Sequence, residues 1–287
     1  MSKKKSSFRK SVSNIAKKLI KPFVKEKKVI KSSSFHKKDK VKILSDKSPF
    51  GVIESYGAIR TQLNFSRKSE KCPVFAVTSM TPGEGKTITC INMAVSFARL
   101  NKRVLIIDSD MRNPTIHKFF SLHAENGLSE VLAGFADTVN FKTTDIENLT
   151  ILTSGDIPPN PAELLNSEQM DKLLKLVREH FDYVFIDTPP IALVTDATVL
   201  AQRVTGYVIV VRPGRTDIND LKMGIKSLQT LHATITGFVC NDADDSIRLS
   251  RHAYYKNSYY KSYSYRQYSA AKEKEEEKEE ETAADEN

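Results

Sequence analysis

The chain runs to 287 residues, 40% of them hydrophobic and 28% charged, with a net charge of +9. That length suits one large α/β domain with tails, or two small domains, and the apolar content suffices for a sizeable core. No apolar run approaches the ~18 residues that cross a bilayer, and three cysteines (Cys72, Cys90, Cys240) without C-x-x-C spacing exclude a disulfide framework and a zinc signature. A reducing cytoplasm is the expected setting, since the N-terminus also lacks the apolar stretch of a secretory signal.

Charge divides the chain. Residues 1–40 carry fifteen Lys/Arg against Glu26 and Asp39, a net of +13, whereas residues 272–287 carry nine acids against three lysines, a net of −6. Only +2 remains for everything between them. The basicity belongs to an arm, so no nucleic-acid partner is expected. Residues 1–45 form this Lys/Ser-rich arm, with too little apolar surface to repay ordering. Within it, residues 8–30 space apolar side chains at roughly helical intervals among lysines. That pattern reads either as a basic amphipathic helix on anionic lipid, broken at Pro22, or as a plain solvated arm.

Residues 46–242 alternate short β-branched runs with helical patterns. Strands are predicted at Val74–Thr78, Val104–Asp108, Thr150–Thr153, Tyr183–Asp187, Tyr207–Arg212 and Thr236–Cys240. Helices are predicted at Thr87–Leu100, Leu128–Leu132, Met170–His180, Thr195–Arg203 and Asn219–Leu231. Continuous apolar strands joined by crossover helices predict an α/β fold, a mostly parallel sheet with helices on both faces. Ligands bind such sheets at the carboxyl ends of strands.

The first strand runs into Ser79-Met80-Thr81-Pro82-Gly83-Glu84-Gly85-Lys86-Thr87-Ile88 and then a helix. This is the strand–loop–helix setting of a phosphate-binding loop, whose backbone N–H groups and helix N-terminus cradle anionic phosphates. Gly83, Glu84, Gly85, Lys86, Thr87 and Ile88 are the candidate nucleotide-binding positions. Lys86 would reach the β/γ-phosphates of ATP, and the Thr87 hydroxyl would ligate Mg²⁺. Met80 stands where the usual first glycine would be. Gly83-Glu84-Gly85 also begins a dinucleotide fingerprint, but Ile88 occupies the third glycine's place and ends that reading.

Two further strands end in acids: Asp108-Ser109-Asp110-Met111-Arg112 after the second, and Asp187-Thr188-Pro189-Pro190 after the fourth. Three carboxylates beside a triphosphate need a compensating charge, which Mg²⁺ supplies. Asp187 and Asp108 are candidate metal residues. Asp108 is the expected base for an incoming hydroxyl, with Asp110 in support. Arg112 either joins this catalytic set or pairs with Asp110 to cap a loop.

Residues 243–271 hold seven tyrosines within fifteen positions: Tyr254, Tyr255, Tyr259, Tyr260, Tyr263, Tyr265 and Tyr268. Between Ile247 and Ala271 five Lys/Arg and no acid accompany them. Alone, such a segment reads as a sticky linker or as an RNA contact with bases stacked on tyrosine. An acidic, disordered tail at 272–287 follows.

Together the phosphate loop, Leu105-Ile106-Ile107-Asp108-Ser109-Asp110-Met111-Arg112 and the Asp187 strand resemble the bacterial tyrosine kinases (BY-kinases), relatives of the ParA/MinD-type ATPases. Arg112-Asn113-Pro114 with His117, the Gly127–Leu132 and Pro158–Leu165 segments and Thr195-Asp196-Ala197 extend the likeness. The family's partition cousins carry a signature lysine where Thr81 stands here. The resemblance implies a P-loop protein-tyrosine kinase that autophosphorylates its tyrosine cluster in trans and regulates capsular or extracellular polysaccharide synthesis and export. It further implies an adenine-side Asn241 and a membrane-anchored activator of the chain-length-determinant type, which would recruit the kinase to the inner face of the membrane. A cognate tyrosine phosphatase, protein tyrosine substrates and homo-oligomerisation complete the expectation. Oligomerisation would run through the tail and residues 54–65, where Glu54 and Arg60 match E-x-x-R-x-x-R but Gly57 replaces the middle arginine. A ParA/MinD-like positioning ATPase and a non-catalytic membrane- or RNA-binding scaffold are the alternatives.

Overall fold

A computed structural model describes residues 43–66 and 70–243. The amphipathic reading of the arm, the tyrosine cluster and the acidic run lie outside the described residues. Seven strands form one sheet in the order β3-β4-β2-β5-β1-β6-β7: β1 (Val74–Ser79), β2 (Val104–Asp108), β3 (Lys142–Thr143), β4 (Leu149–Leu152), β5 (Tyr183–Asp187), β6 (Gly206–Val211) and β7 (Ile235–Cys240). All neighbours run parallel except β3, which lies antiparallel on the edge against β4. From β1 the chain crosses to β2 on one side, and from β5 it crosses back to β6 on the other. The carboxyl end of β1 therefore lies at the switch point of the sheet, where a crevice opens.

The fully buried strands β1, β2, β4 and β5 explain the unbroken apolar runs in the sequence. One sheet face packs Phe75, Val77, Ile106 and Phe185 beneath helix α2 (Lys86–Ala98), of which ten residues are buried. Phe97 stacks obliquely on Tyr183 at 4.2 Å between ring centres, and Phe75 and Phe185 join the group. Helix α1 (Phe50–Ser66) lies over α2 and inserts Leu63. The opposite face packs Leu105, Ile107, Val184 and Ile186 against three helices, α4 (Leu128–Leu132), α5 (Pro161–Leu165) and α6 (Glu168–His180). Between α2 and α4 comes the short α3 (Ile116–Phe120). Beyond β1, Ala76, Tyr207 and Ile209 meet Leu228 of α7 (Ile218–Thr230).

Two features differ from the sequence reading. The helix expected over Thr195–Arg203 is a single 3₁₀ turn, Thr198–Leu200, set among turns. Threonine competes with helical bonding here, since Thr198 Oγ1 donates to Thr195 O at 2.7 Å. The two-residue β3 and the five-residue α3 and α5 are too short to leave a periodic signature.

Arg60 of α1 turns inward to its own chain: Nη1 donates to Ser96 Oγ at 2.8 Å and to Ser96 O at 3.1 Å. Glu54 is exposed on the same helix. Met80 is fully buried and its sulfur occupies the space that a side chain on Gly224 of α7 would need, 2.6 Å from the ideal Cβ position. Met80→Ala is expected to empty that space and to cost about 2–5 kcal/mol, read as a lower urea midpoint at unchanged slope.

Candidate active site

The phosphate loop is built by backbone geometry. Gly83 and Gly85 adopt φ of +80° and +93°. Side chains there would strike the Arg215 guanidinium (2.6 Å) and the Asn241 amide (2.0 Å) respectively. Met80 has no positive φ, which is why the missing first glycine does not matter. A second set of residues braces the loop. The buried Glu84 carboxylate accepts from Met80 N–H at 2.7 Å and Thr81 N–H at 3.0 Å through Oε2, and from Thr216 Oγ1 at 2.5 Å through Oε1. Arg212 donates to Gly83 O at 3.2 Å and pairs with Asp242, while Asn241 Nδ2 donates to Glu84 O at 2.9 Å. Glu84 lies in the loop as a candidate nucleotide-binding position, and its side chain holds the loop together. Asn241 likewise touches the loop itself.

Helix α2 begins at Lys86 and projects it over the ends of β2 and β5. Lys86 Nζ lies 2.8 Å from Asp110 and 3.4 Å from Asp187, and Thr87 Oγ1 donates to Asp187 at 2.7 Å. The strand register places Asp108 beside Asp187. Both are fully buried, and Asp108 has one oxygen held by Ile116 N–H at 3.1 Å and the other without a partner. Burial, reinforced by the charge of Asp187, pushes the Asp108 carboxyl up to about 8. Burial raises Asp187 as well, partly countered by Lys86 and Thr87. Lys86 is raised on balance: burial pulls it down, but Asp187 and Asp110 prevail.

One ammonium thus faces three carboxylates, and an acid is left with an unpaired oxygen. This oxygen-rich, electron-rich set fits a hard divalent cation, and Mg²⁺ takes one or two protein oxygens and fills its remaining positions with water and phosphate. Thr87 and Asp187 would hold it.

A cavity of about 380 Å³ opens here, bordered by Gly83, Gly85, Lys86, Thr87, Ile88, Asp110 and Arg112. Asp108 does not border it. Of the two acids after β2, Asp110 is the one that faces the cavity, with the expected base Asp108 buried behind it. Of the two roles expected for Arg112, the pairing with Asp110 is not found: it grips the fully buried Asp196 through two bonds, at 2.8 and 3.0 Å. The roles of Asp196, Thr216 and Arg212 escaped the sequence reading. These residues sit 84, 132 and 129 positions from their partners, and no short motif spans such distances.

Comparison with known proteins decides the family. Residues 73–237 match the AAA domain family. The chain is 38% identical over 196 residues to the tyrosine-protein kinase CpsD of Streptococcus pneumoniae, an alignment covering 68% of this chain and 86% of that one. The chain belongs to the bacterial tyrosine kinases. Two solved structures superpose on it. The kinase domain of Escherichia coli tyrosine kinase ETK matches with a TM-score of 0.63 and 32% identity, covering 67% of this chain and 77% of that one. The chimerical protein CapA2B2 matches with 0.66 and 30%, covering 82% and 99%. The kinase branch therefore prevails over the partition-ATPase reading, and the fold implies nucleotide binding.

The buried acid makes a prediction about pH. A carboxyl raised to about 8 in the fold but near 3.9 when unfolded binds more protons folded than unfolded, so it lowers stability as pH rises between those values. Asp108→Asn is expected to remove that contribution, so that its melting temperature exceeds wild type at pH 8 and the gap narrows steadily as pH falls towards about 4. Parallel melting curves of the two ligand-free proteins across that range check it.

Proposed function

We propose that the chain transfers the γ-phosphoryl group of ATP to tyrosine hydroxyls, those of its own cluster at 254–268 among them, with Mg²⁺ as the cation. The observation that carries this reading is the Lys86–Asp110–Asp187 cluster, whose Lys86 and Asp110 border the cavity while the buried Asp187 backs them, so that one cation and several acids converge beside the phosphate loop. The relatives point to the acceptor: they are tyrosine-protein kinases.

In the ligand-free arrangement Lys86 neutralises Asp110. A triphosphate in the loop draws Lys86 toward its β/γ oxygens and leaves Asp110 to accept the phenol proton. The phenol oxygen bonds to the γ-phosphorus, the bond to the β-bridging oxygen breaks, and ADP departs. Bound Mg²⁺ supplies neutralisation of charge on the phosphates. Asp108, buried behind Asp110, supports the cluster rather than meeting the acceptor, and Arg112, fixed by Asp196, presents a positive charge at the rim. Asn241, next to the loop, serves the adenine side.

Regulation of capsular or extracellular polysaccharide synthesis is the proposed setting, as the name CpsD and the family resemblance suggest. Among the described residues no helix is long and apolar enough to cross a membrane. Recruitment to the inner membrane face by a membrane-anchored activator of the chain-length-determinant type is accordingly part of the proposal, as are a cognate phosphatase and assembly through Glu54, Arg60 and the tail. Because Arg60 is tied to Ser96, assembly through it requires a contact that tolerates or replaces that bond.

Lys86→Met is expected to abolish phosphotyrosine while the folded circular dichroism signal persists; undiminished phosphotyrosine would remove the phosphate loop from the reaction. With all seven tail tyrosines changed to Phe, autophosphorylation should largely vanish while an added tyrosine substrate is still modified. Phosphate mapped by mass spectrometry only outside residues 254–268 would overturn the tail assignment, and salt-sensitive RNA binding retained by the Phe tail would point to the RNA reading instead.

A further inference from the structure

The cavity has two unlike halves. One is the phosphate cradle; the other is an apolar wall formed by Pro189, Pro190, Leu193 and Val194 after β5, faced by Phe119 of α3. A triphosphate, charged throughout and held by backbone N–H groups and Lys86, gains nothing from an apolar wall. Leu193 is nonetheless 61% exposed there, where water would otherwise cover it.

The wall is also fixed in place relative to the cradle. Thr188 Oγ1 donates to Val77 O at 3.0 Å, Thr78 Oγ1 donates to Pro189 O at 2.9 Å, and Ile191 N–H donates to Ser79 O at 2.9 Å. These bonds tie it to β1, the strand that feeds the phosphate loop. A second anchor is Asp187, which precedes the wall directly and pairs with Thr87. The two halves therefore keep one geometry, as a site that aligns two reactants requires.

We propose that this wall is the acceptor subsite: Leu193 and Val194, with Pro189, Pro190 and Phe119, seat the phenol ring of a tyrosine-containing peptide, its hydroxyl directed at Asp110. The inference rests on the kinase reading above. It commits to a tyrosine side chain because a phenol is the one group that combines an apolar ring with a hydroxyl to be phosphorylated. Serine and threonine acceptors have no ring to fill the wall, so the subsite selects against them.

The test uses the full chain with Mg-ATP and a synthetic peptide carrying residues 252–270 as acceptor, alongside the same peptide with every tyrosine changed to serine. Leu193→Ala/Val194→Ala is expected to raise KM for the tyrosine peptide about tenfold, the scale of a lost apolar pocket contact, with the Kd of a fluorescent ATP analogue unchanged within about twofold. Leu193→Met should restore the wild-type KM when tested alone. The Phe-for-Tyr peptide should compete with the acceptor in wild type and lose potency in the Ala/Ala variant. An unchanged peptide KM would overturn the subsite, and so would a fall in nucleotide affinity matching the rise in KM, since the wall would then serve the nucleotide. Equal use of the serine peptide would overturn the selectivity. If wild type phosphorylates neither peptide, the kinase reading itself fails, a result distinct from a working kinase indifferent to the wall.

Discussion

Everything at this site depends on one register: β2 and β5 run parallel with Asp108 opposite Asp187. Parallel strands buried on both faces leave these carboxylates no water, and their mutual repulsion in a dry interior exceeds what a surface pair would feel. The chain answers with Lys86 on the first turn of α2, near enough to neutralise Asp110 and Asp187 but not Asp108. The ligand-free cluster thus holds more negative charge than it can compensate, so cations and proton donors gain most by entering.

Much of this was legible in the sequence because it is local. The apolar strands, the two loop glycines, the Lys-Thr pair and the strand-ending acids all follow from short patterns with known periods or spacings, and all six predicted strands fall within a residue of the observed ones. Other features depend on tertiary contact. Nothing near Glu84 in the chain announces that its carboxylate turns back to cap Met80 and Thr81, and the sequence could only place it in the loop. Asp108 and Asp110 look equivalent two residues apart, and strand alternation alone would put both on one side; but β2 ends at Asp108 and the chain turns, so one is held by Ile116 N–H and the other opens on the cavity. Arg112 has a nearby acid in sequence, but its partner is Asp196, brought to it by the turn after β5.

The family likeness and the physical reading constrain each other. Identity to known kinases establishes the branch, while the geometry assigns tasks that identity cannot distinguish. Thr81 occupies the position of the partition ATPases' signature lysine, and its N–H is held by Glu84; the loop is thereby closed by the chain's own carboxylate. Arg60, likewise, is at once a match to the assembly motif and a tether between α1 and the helix that carries Lys86.

The bracing of the phosphate loop bears on how fast and how tightly a nucleotide can settle. Fixing one residue's backbone costs about 1–2 kcal/mol, and a loop that had to fold around its ligand would forfeit that for each residue ordered. Here Glu84, Thr216, Arg212 and Asn241 hold the loop in its cradle conformation from the neighbouring strand ends. On the proposed reading, residues 80–85 would receive the phosphates much as a mould receives a casting, and association would proceed as a rigid docking event rather than as coupled folding.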